Sequence, residues 1–177
     1  QKIATESLDE RDMDLLDRYP KVKIHNKLFK NAGELQFVDL KDEIQNDQNT
    51  YSNGAVYADF DNDGDLDMVV NNIDEPALLY KNKTNDKKDH AFIDIKLKGS
   101  AQNINAIGAK IIMYANGGIR IYEKYPVRGF LSSMETPLHI GLDKTKIDSS
   151  FIIWPDNTYQ PIHMQTGNSL LTITYEA

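Results

Sequence analysis

The chain has 177 residues, 40% of them hydrophobic, with 27 acidic side chains against 20 basic ones and no cysteine. That length suits one or two domains and buries roughly 70% of the surface an unfolded chain exposes. Ordinary charge, glycine and proline contents exclude disordered, collagenous and low-complexity classes, no apolar run approaches the ~20 residues of a membrane span, and without cysteine there is no disulfide, thiolate metal site or cysteine nucleophile.

The chain opens at Gln1 with neither Met nor a signal-like segment, so a fragment or a processed product is expected, with any signal or lipidation segment outside it. Residues 7–19 read as a short N-terminal helix. Ser7 and Glu10 make a capping box, Leu8, Leu15 and Tyr19 share a face, and Pro20 stops it. An acidic surface helix covering a sheet edge is preferred over any functional role.

From Asn26 the texture changes to short strands. Leu28-Phe29-Lys30-Asn31 and Leu35-Gln36-Phe37-Val38-Asp39 flank Ala32-Gly33, a hairpin signal. Ala55–Ala58 and Met68–Val70 flank an Asp-rich turn, and Leu78–Asn82 follows. Leu28-Phe29-Lys30-Asn31 recurs as Leu79-Tyr80-Lys81-Asn82 at an offset of 51 residues, the size of a propeller blade.

Residues 83–90 are polar throughout and read as a linker, dividing the chain into units 1–82 and 91–177. Charge changes across it: residues 1–90 hold 20 acidic and 12 basic side chains, net −8, and residues 91–177 hold 7 and 8, net +1. An acidic first half repels nucleic-acid phosphates and favours cations or basic partners. Beyond the linker, strands are expected over Phe92–Leu97, Ala109–Ala115, Ile119–Tyr125, Leu138–Leu142, Phe151–Trp154 and Leu170–Tyr175. Asn116-Gly117-Gly118 reads as a hairpin turn, and Ile93, Ile95 and Leu97 alternate with Phe92, Asp94, Lys96 and Lys98 as a half-buried strand requires. The fold class is mainly β: one propeller-type blade behind a short helix, then an antiparallel β-sandwich.

The stretch that carries chemistry runs from Asp59 to Asp67, Asp-Phe-Asp-Asn-Asp-Gly-Asp-Leu-Asp. Five carboxylates at alternating positions repel one another, so the folded loop needs a cation to offset them. Counting Asp59 as position one, carboxylates stand at one, three, five, seven and nine, with Gly64 at six for a sharp turn. Calcium accepts six to eight oxygens on such a flexible loop, whereas magnesium keeps several waters. The expected ligands are the side chains of Asp59, Asp61, Asp63 and Asp67 and the backbone carbonyl of Asp65, whose side chain would point outward. A helix-loop-helix calcium hand is excluded: position twelve is Val70 rather than Glu, and the flanks are strand-like. Catalytic use as a glycosidase pair is disfavoured, because that chemistry needs one carboxyl held protonated in an apolar pocket.

This loop resembles the calcium loop of FG-GAP, or VCBS, repeats, the blades of integrin-alpha-like propellers. Tyr51–Ala55, Asn71-Asn72 and the Leu-Phe/Tyr-Lys-Asn segments extend the resemblance over residues 26–82, and it implies the same five loop ligands. Residues 91–175 resemble the ASPIC/UnbV domain through Asn105–Ala109, Gly129–Ser133, Leu138–Leu142 and Trp154-Pro155-Asp156. The combination implies a secreted or surface location, extracellular or at the outer membrane, as in cartilage acidic proteins and large bacterial surface lipoproteins. It implies no known activity. Only about one blade is present, so a terminal blade and its companion domain from a larger propeller protein are expected.

Elsewhere the residues read as structural. His25, His90, His139 and His163 do not pair at ligand spacing, and Ser132 and Ser133 do not sit in a nucleophile elbow. Trp154 reads as core or edge packing, with sugar stacking as the lesser alternative; Tyr122, Tyr125 and Arg128 read as strand packing, with a contact surface as theirs. The expectation is a non-enzymatic calcium module without catalytic residues, contacting an unidentified protein or glycan, binding no nucleic acid and inserting no segment in a membrane. The alternatives are a carbohydrate-active enzyme or its accessory domain, and a purely structural cap of a propeller.

Overall fold

The computed structural model describes residues 18–45, 48–87, 89–164, 167 and 169–176. Among them are fourteen strands and no helix. The helix expected over 7–19 lies outside the described residues up to position 17, and Arg18 and Tyr19 form a turn and a bend. The chain divides into two compact units: Gln1–Ser52 with Ile73–Glu75, and Asn53–Asn72 with Pro76–Ala177. No helix is long and apolar enough to cross a membrane among the described residues.

In the first unit, β1 (Phe29–Gly33) and β2 (Gln36–Asp39) form an antiparallel hairpin. Its two-residue turn is Glu34-Leu35, both with positive φ (49° and 60°), the primed geometry that matches strand twist. The turn therefore falls just beyond the Ala32-Gly33 expected from composition. An isolated bridge joins Ile24 to Thr50. Lys23 pairs with Glu75 and stands over the Tyr51 ring, 5.4 Å from its centroid.

In the second unit, β3 (Ser52–Ala58), β4 (Asp67–Asn72) and β5 (Leu78–Tyr80) make a three-stranded sheet. The five strands over 29–80 thus form a pair and a trio, and the single four-stranded sheet of a blade does not appear among the described residues.

The remaining strands build two sheets around one core. One sheet has the order β13-β12-β7-β8, from β7 (Lys110–Ala115), β8 (Gly118–Glu123), β12 (Ile147–Ile153) and β13 (Tyr159–Ile162). The other has the order β11-β6-β14, from β6 (Phe92–Lys98), β11 (Leu138–Gly141) and β14 (Ser169–Thr174). A short pair, β9 (Val127–Gly129) with β10 (Ser132–Ser133), completes the set. Alternation selects the buried face: Ile93, Ile95 and Leu97 of β6 are 1%, 0% and 6% exposed, and they join Ile111, Met113, Ile140, Ile152 and Trp154 in a single apolar cluster. Asn116-Gly117 turns β7 into β8 with both φ positive, Ala115 opposite Gly118. One feature departs from a purely antiparallel sandwich. β14 runs parallel to β6, Ser169 opposite Ile93 through Thr174 opposite Lys98. Parallel neighbours need a crossover rather than a hairpin, and here the chain between β6 and β14 includes all four strands of the other sheet.

Two tethers hold β3 within this unit. Ser132 Oγ accepts the amide of Ala55 at 2.9 Å and donates to the carbonyl of Phe130 at 2.7 Å. Gly54 lies so close that a Cβ there would stand 3.1 Å from the carbonyl oxygen of Leu131.

Candidate metal centre

The acidic loop leaves β3 at Asp59 and enters β4 at Asp67, between two strands as expected from its flanks. Its bend depends on two residues in the left-handed region, Asn62 (φ 56°) and Gly64 (φ 94°). Gly64 is fixed twice over, since a Cβ there would also drive into the Phe92 ring and stand 2.9 Å from Asn85 Nδ2.

The loop amides organise the carboxylates. Asp59 accepts from the amides of Asp63 (3.1 Å, Oδ1) and Gly64 (3.0 Å, Oδ2), Asp63 Oδ1 accepts from Asp65 N at 3.1 Å, and Asp67 Oδ2 accepts from Phe60 N at 3.2 Å. Asp67 Oδ1 takes a further amide, that of Asn82, at 2.8 Å. The result gathers one carboxylate oxygen from each of Asp59, Asp61 and Asp67 within 4.8 Å of one another. Asp63, Asp65 and Asp67 are 5%, 7% and 3% exposed, and Asp63 Oδ2 and Asp65 Oδ1 are buried without a hydrogen-bond partner. Buried carboxylate oxygens that accept no hydrogen bond are expensive, and a hard cation is the chemistry that satisfies them. The donor set of all-oxygen ligands on one short loop fits calcium.

One expectation is corrected. The Asp65 side chain does not point outward; it is buried, with Oδ2 accepting the amide of Asn85 at 2.7 Å. The reason is the segment at 84–87, which forms turns against the loop rather than running as a free polar tether. Asn85 is 1% exposed, donates Nδ2 to the Asp63 carbonyl at 2.7 Å, and accepts the amide of His90 at 2.9 Å.

A protein cation already stands beside the cluster. Lys81 Nζ lies 2.6 Å from Asp61, 2.9 Å from Asp86 and 3.8 Å from Asp63. These ion pairs push the Lys81 ammonium up from its ordinary pKa, Asp61 contributing most. The Lys81 hydrogen bond holds Asp61 below its ordinary value, whereas burial pushes Asp65 up, aided by the charges of Asp63, Asp67 and Asp61.

Sequence reasoning found the five aspartates and missed Lys81, Asn82, Asn85 and Phe92, which complete their surroundings. The recurrence of Lys-Asn at 30–31 and 81–82 was a signal for the first two. Nothing local marks Asn85, whose partners are 20 and 22 residues upstream. Of the histidines, His139 meets Asp94 at 2.8 Å, a pairing 45 residues apart in sequence.

Residues 99–177, which include the four-stranded sheet, β11 and β14, match the protein-family model described as ASPIC and UnbV. The match supports the resemblance of the second half to that domain. Among curated proteins the chain is similar to cartilage acidic protein 1 of Xenopus tropicalis, 30% identical over 130 residues, or 69% of this chain and 19% of that protein. The human and mouse proteins of the same name are 28% and 26% identical over the same length and the same shares. The chain thus spans 19% of the length of these curated relatives.

Proposed function

We propose that the chain is a non-enzymatic, calcium-stabilised module of a larger extracellular or cell-surface protein, presenting its loops to a protein or glycan. The observation that carries this reading is the convergence of Asp59, Asp61 and Asp67 beside buried oxygens of Asp63 and Asp65 that accept no hydrogen bond. Asp65 enters as a ligand through its backbone carbonyl, as in the FG-GAP loop it resembles. The extracellular location is supported by the likeness of the second half to ASPIC/UnbV domains and by the similarity to cartilage acidic protein 1. For the non-enzymatic part, the Ser132 hydroxyl donates to a backbone carbonyl rather than to a histidine base.

Extracellular calcium modules bind at about 10⁻⁴ to 10⁻³ M. At about 2 mM calcium and the tighter limit, mass action adds about 1.8 kcal/mol, or roughly 4–7 °C in the melting temperature of a chain this size. Calorimetric titration after chelation, beside melts in calcium and in magnesium, tests the reading. One saturable site and a calcium-selective upward shift support it; no saturable uptake refutes it. Asp61→Ala should abolish most of the shift.

A further inference from the structure

The second compact unit holds a cleft of about 630 Å³, lined by Tyr57 of β3, Asp59 of the acidic loop, Tyr122 and Glu123 of β8, Arg128 of β9 and His139 of β11. Its size falls within the ≈ 300–1,000 Å³ of small-molecule sites. The polar groups on its wall divide into those already committed and those left over. Both oxygens of Asp59 accept loop amides. Asp94, also on the wall, hydrogen-bonds His139 Nδ1 through Oδ1 at 2.8 Å, and the His139 ring stacks on Phe92 with centroids 5.1 Å apart. Those two contacts hold the ring in place, with Nε2 on the side away from Asp94. Among the described residues, the Arg128 guanidinium and the Glu123 carboxylate make no ion pair with each other or with a neighbour.

A free acid and a free base in one cleft constrain the ligand. A phosphate or carboxylate would suit Arg128 but meet Glu123 as a like charge, and an ammonium would reverse the conflict. A hydroxyl both donates and accepts, so a neutral polyol satisfies Arg128 and Glu123 together, and His139 Nε2 in either of its roles. The Tyr57 ring offers a flat, amphipathic surface for the C–H face of a pyranose, while the Tyr122 ring packs against the core behind the wall. We propose that this cleft binds a neutral saccharide, with Arg128 and Glu123 as its two polar anchors. The proposal rests on the contact-module reading and names the site and ligand class of its glycan contact; it does not depend on the loop's calcium.

The test is ligand-observed magnetic resonance titration of the chain with cellobiose, maltose, lactose and mannobiose, beside glucuronate and glucosamine as charged probes, in excess calcium. At least one neutral disaccharide should bind saturably at about 1 mM or tighter. Arg128→Ala and Glu123→Gln should each weaken it about tenfold with melting temperature unchanged, whereas Tyr159→Ala, outside the cleft, should leave it intact. No saturable neutral sugar at about 10 mM, preference for a charged probe, or indifference to both anchor substitutions overturns the proposal. Calcium uptake is measured on the same samples. Saturable calcium without sugar refutes the cleft alone, and sugar without calcium refutes the calcium reading alone.

Discussion

The amide of Asn85 donates to Asp65 Oδ2 at 2.7 Å, joining a polar turn to an acidic loop 20 residues earlier. The Asn85 side chain extends the link by bonding the Asp63 carbonyl and the amide of His90, two residues before β6 begins. A single buried asparagine therefore ties the candidate metal loop to the entry of a core strand. Asn85→Ala would leave the Asp63 carbonyl and the His90 amide without these partners. At about 1–3 kcal/mol per unsatisfied buried group, the loss is about 3 kcal/mol, and the melting temperature should fall by roughly 6–12 °C. A thermal scan of this variant checks it; a fall below about 2 °C would show that water replaces the asparagine without penalty.

Gly64 meets two independent constraints, a φ of 94° and the Phe92 ring in the path of any Cβ. Gly64→Ala should therefore destabilise by more than the backbone strain of about 1–2 kcal/mol alone. Pairing it with Phe92→Leu separates the two effects. The double variant should relieve the clash and keep the strain, giving a favourable coupling between the sites of at least about 0.5 kcal/mol. Strict additivity in denaturant melts would mean that the ring simply moves aside.

The bend of the acidic loop was legible because its signal is local: one glycine among nine residues between two strand-like flanks marks the turn. β6 was equally plain, since Ile93, Ile95 and Leu97 announce the buried face by period two. What escaped depends on distance. The 83–90 segment is as polar as a linker, and only its contacts with residues 63 and 65 reveal Asn85 as an anchor. β13 carries Pro161 and the sequence Tyr-Gln-Pro-Ile, which lacks the alternation and β-branched run of a strand, and its pairing with β12 supplies the order instead. The parallel partnership of β14 with β6 has no local signature, because register between distant strands is set by the core they share. Asp65 was placed outward by analogy with a loop position, and the amide of a residue far along the chain drew it in.

The Trp154–Asp156 turn gives a pH prediction. Tyr175 Oη donates to Asp156 Oδ2 at 2.6 Å, and Thr158 donates its amide and hydroxyl to Oδ1. The Tyr175 hydrogen bond, then those of Thr158, hold the Asp156 carboxyl below its ordinary value, and Asp156 in turn raises the Tyr175 phenol. A folded-state pKa below the unfolded value of 3.8 contributes stability that is present above 3.8 and is lost as pH falls through the folded value. For Tyr175 the sense is opposite: its contribution is present below 10.0 and disappears as pH rises through the raised folded value. Asp156→Asn should thus flatten the acid limb of the stability curve, and Tyr175→Phe should soften both limbs. Denaturant melts across pH decide it; an acid limb unchanged in Asp156→Asn would assign acid sensitivity to other carboxylates.

The last expectation concerns where the chain can be cut. Composition places a boundary at 83–90, whereas the compact unit begins at Asn53 and takes in β4 and the acidic loop with both core sheets. A fragment starting at residue 91 keeps the apolar cluster, including Ile93 through Ile173, but loses the Ala55 amide that Ser132 Oγ accepts and the loop against the Phe92 ring. A fragment of residues 53–177 keeps both. Losing one buried hydrogen-bond partner and the cover of an aromatic ring should lower stability by about 2 kcal/mol or more. The 91–177 fragment should then melt cooperatively but roughly 4–8 °C below 53–177, and only the longer fragment should respond to calcium. Parallel scans with and without calcium make the comparison. If 91–177 melts at the same temperature as 53–177, the boundary read from composition is the one that governs folding, and the contacts of the acidic loop with Asn85 and Phe92 add nothing to the core.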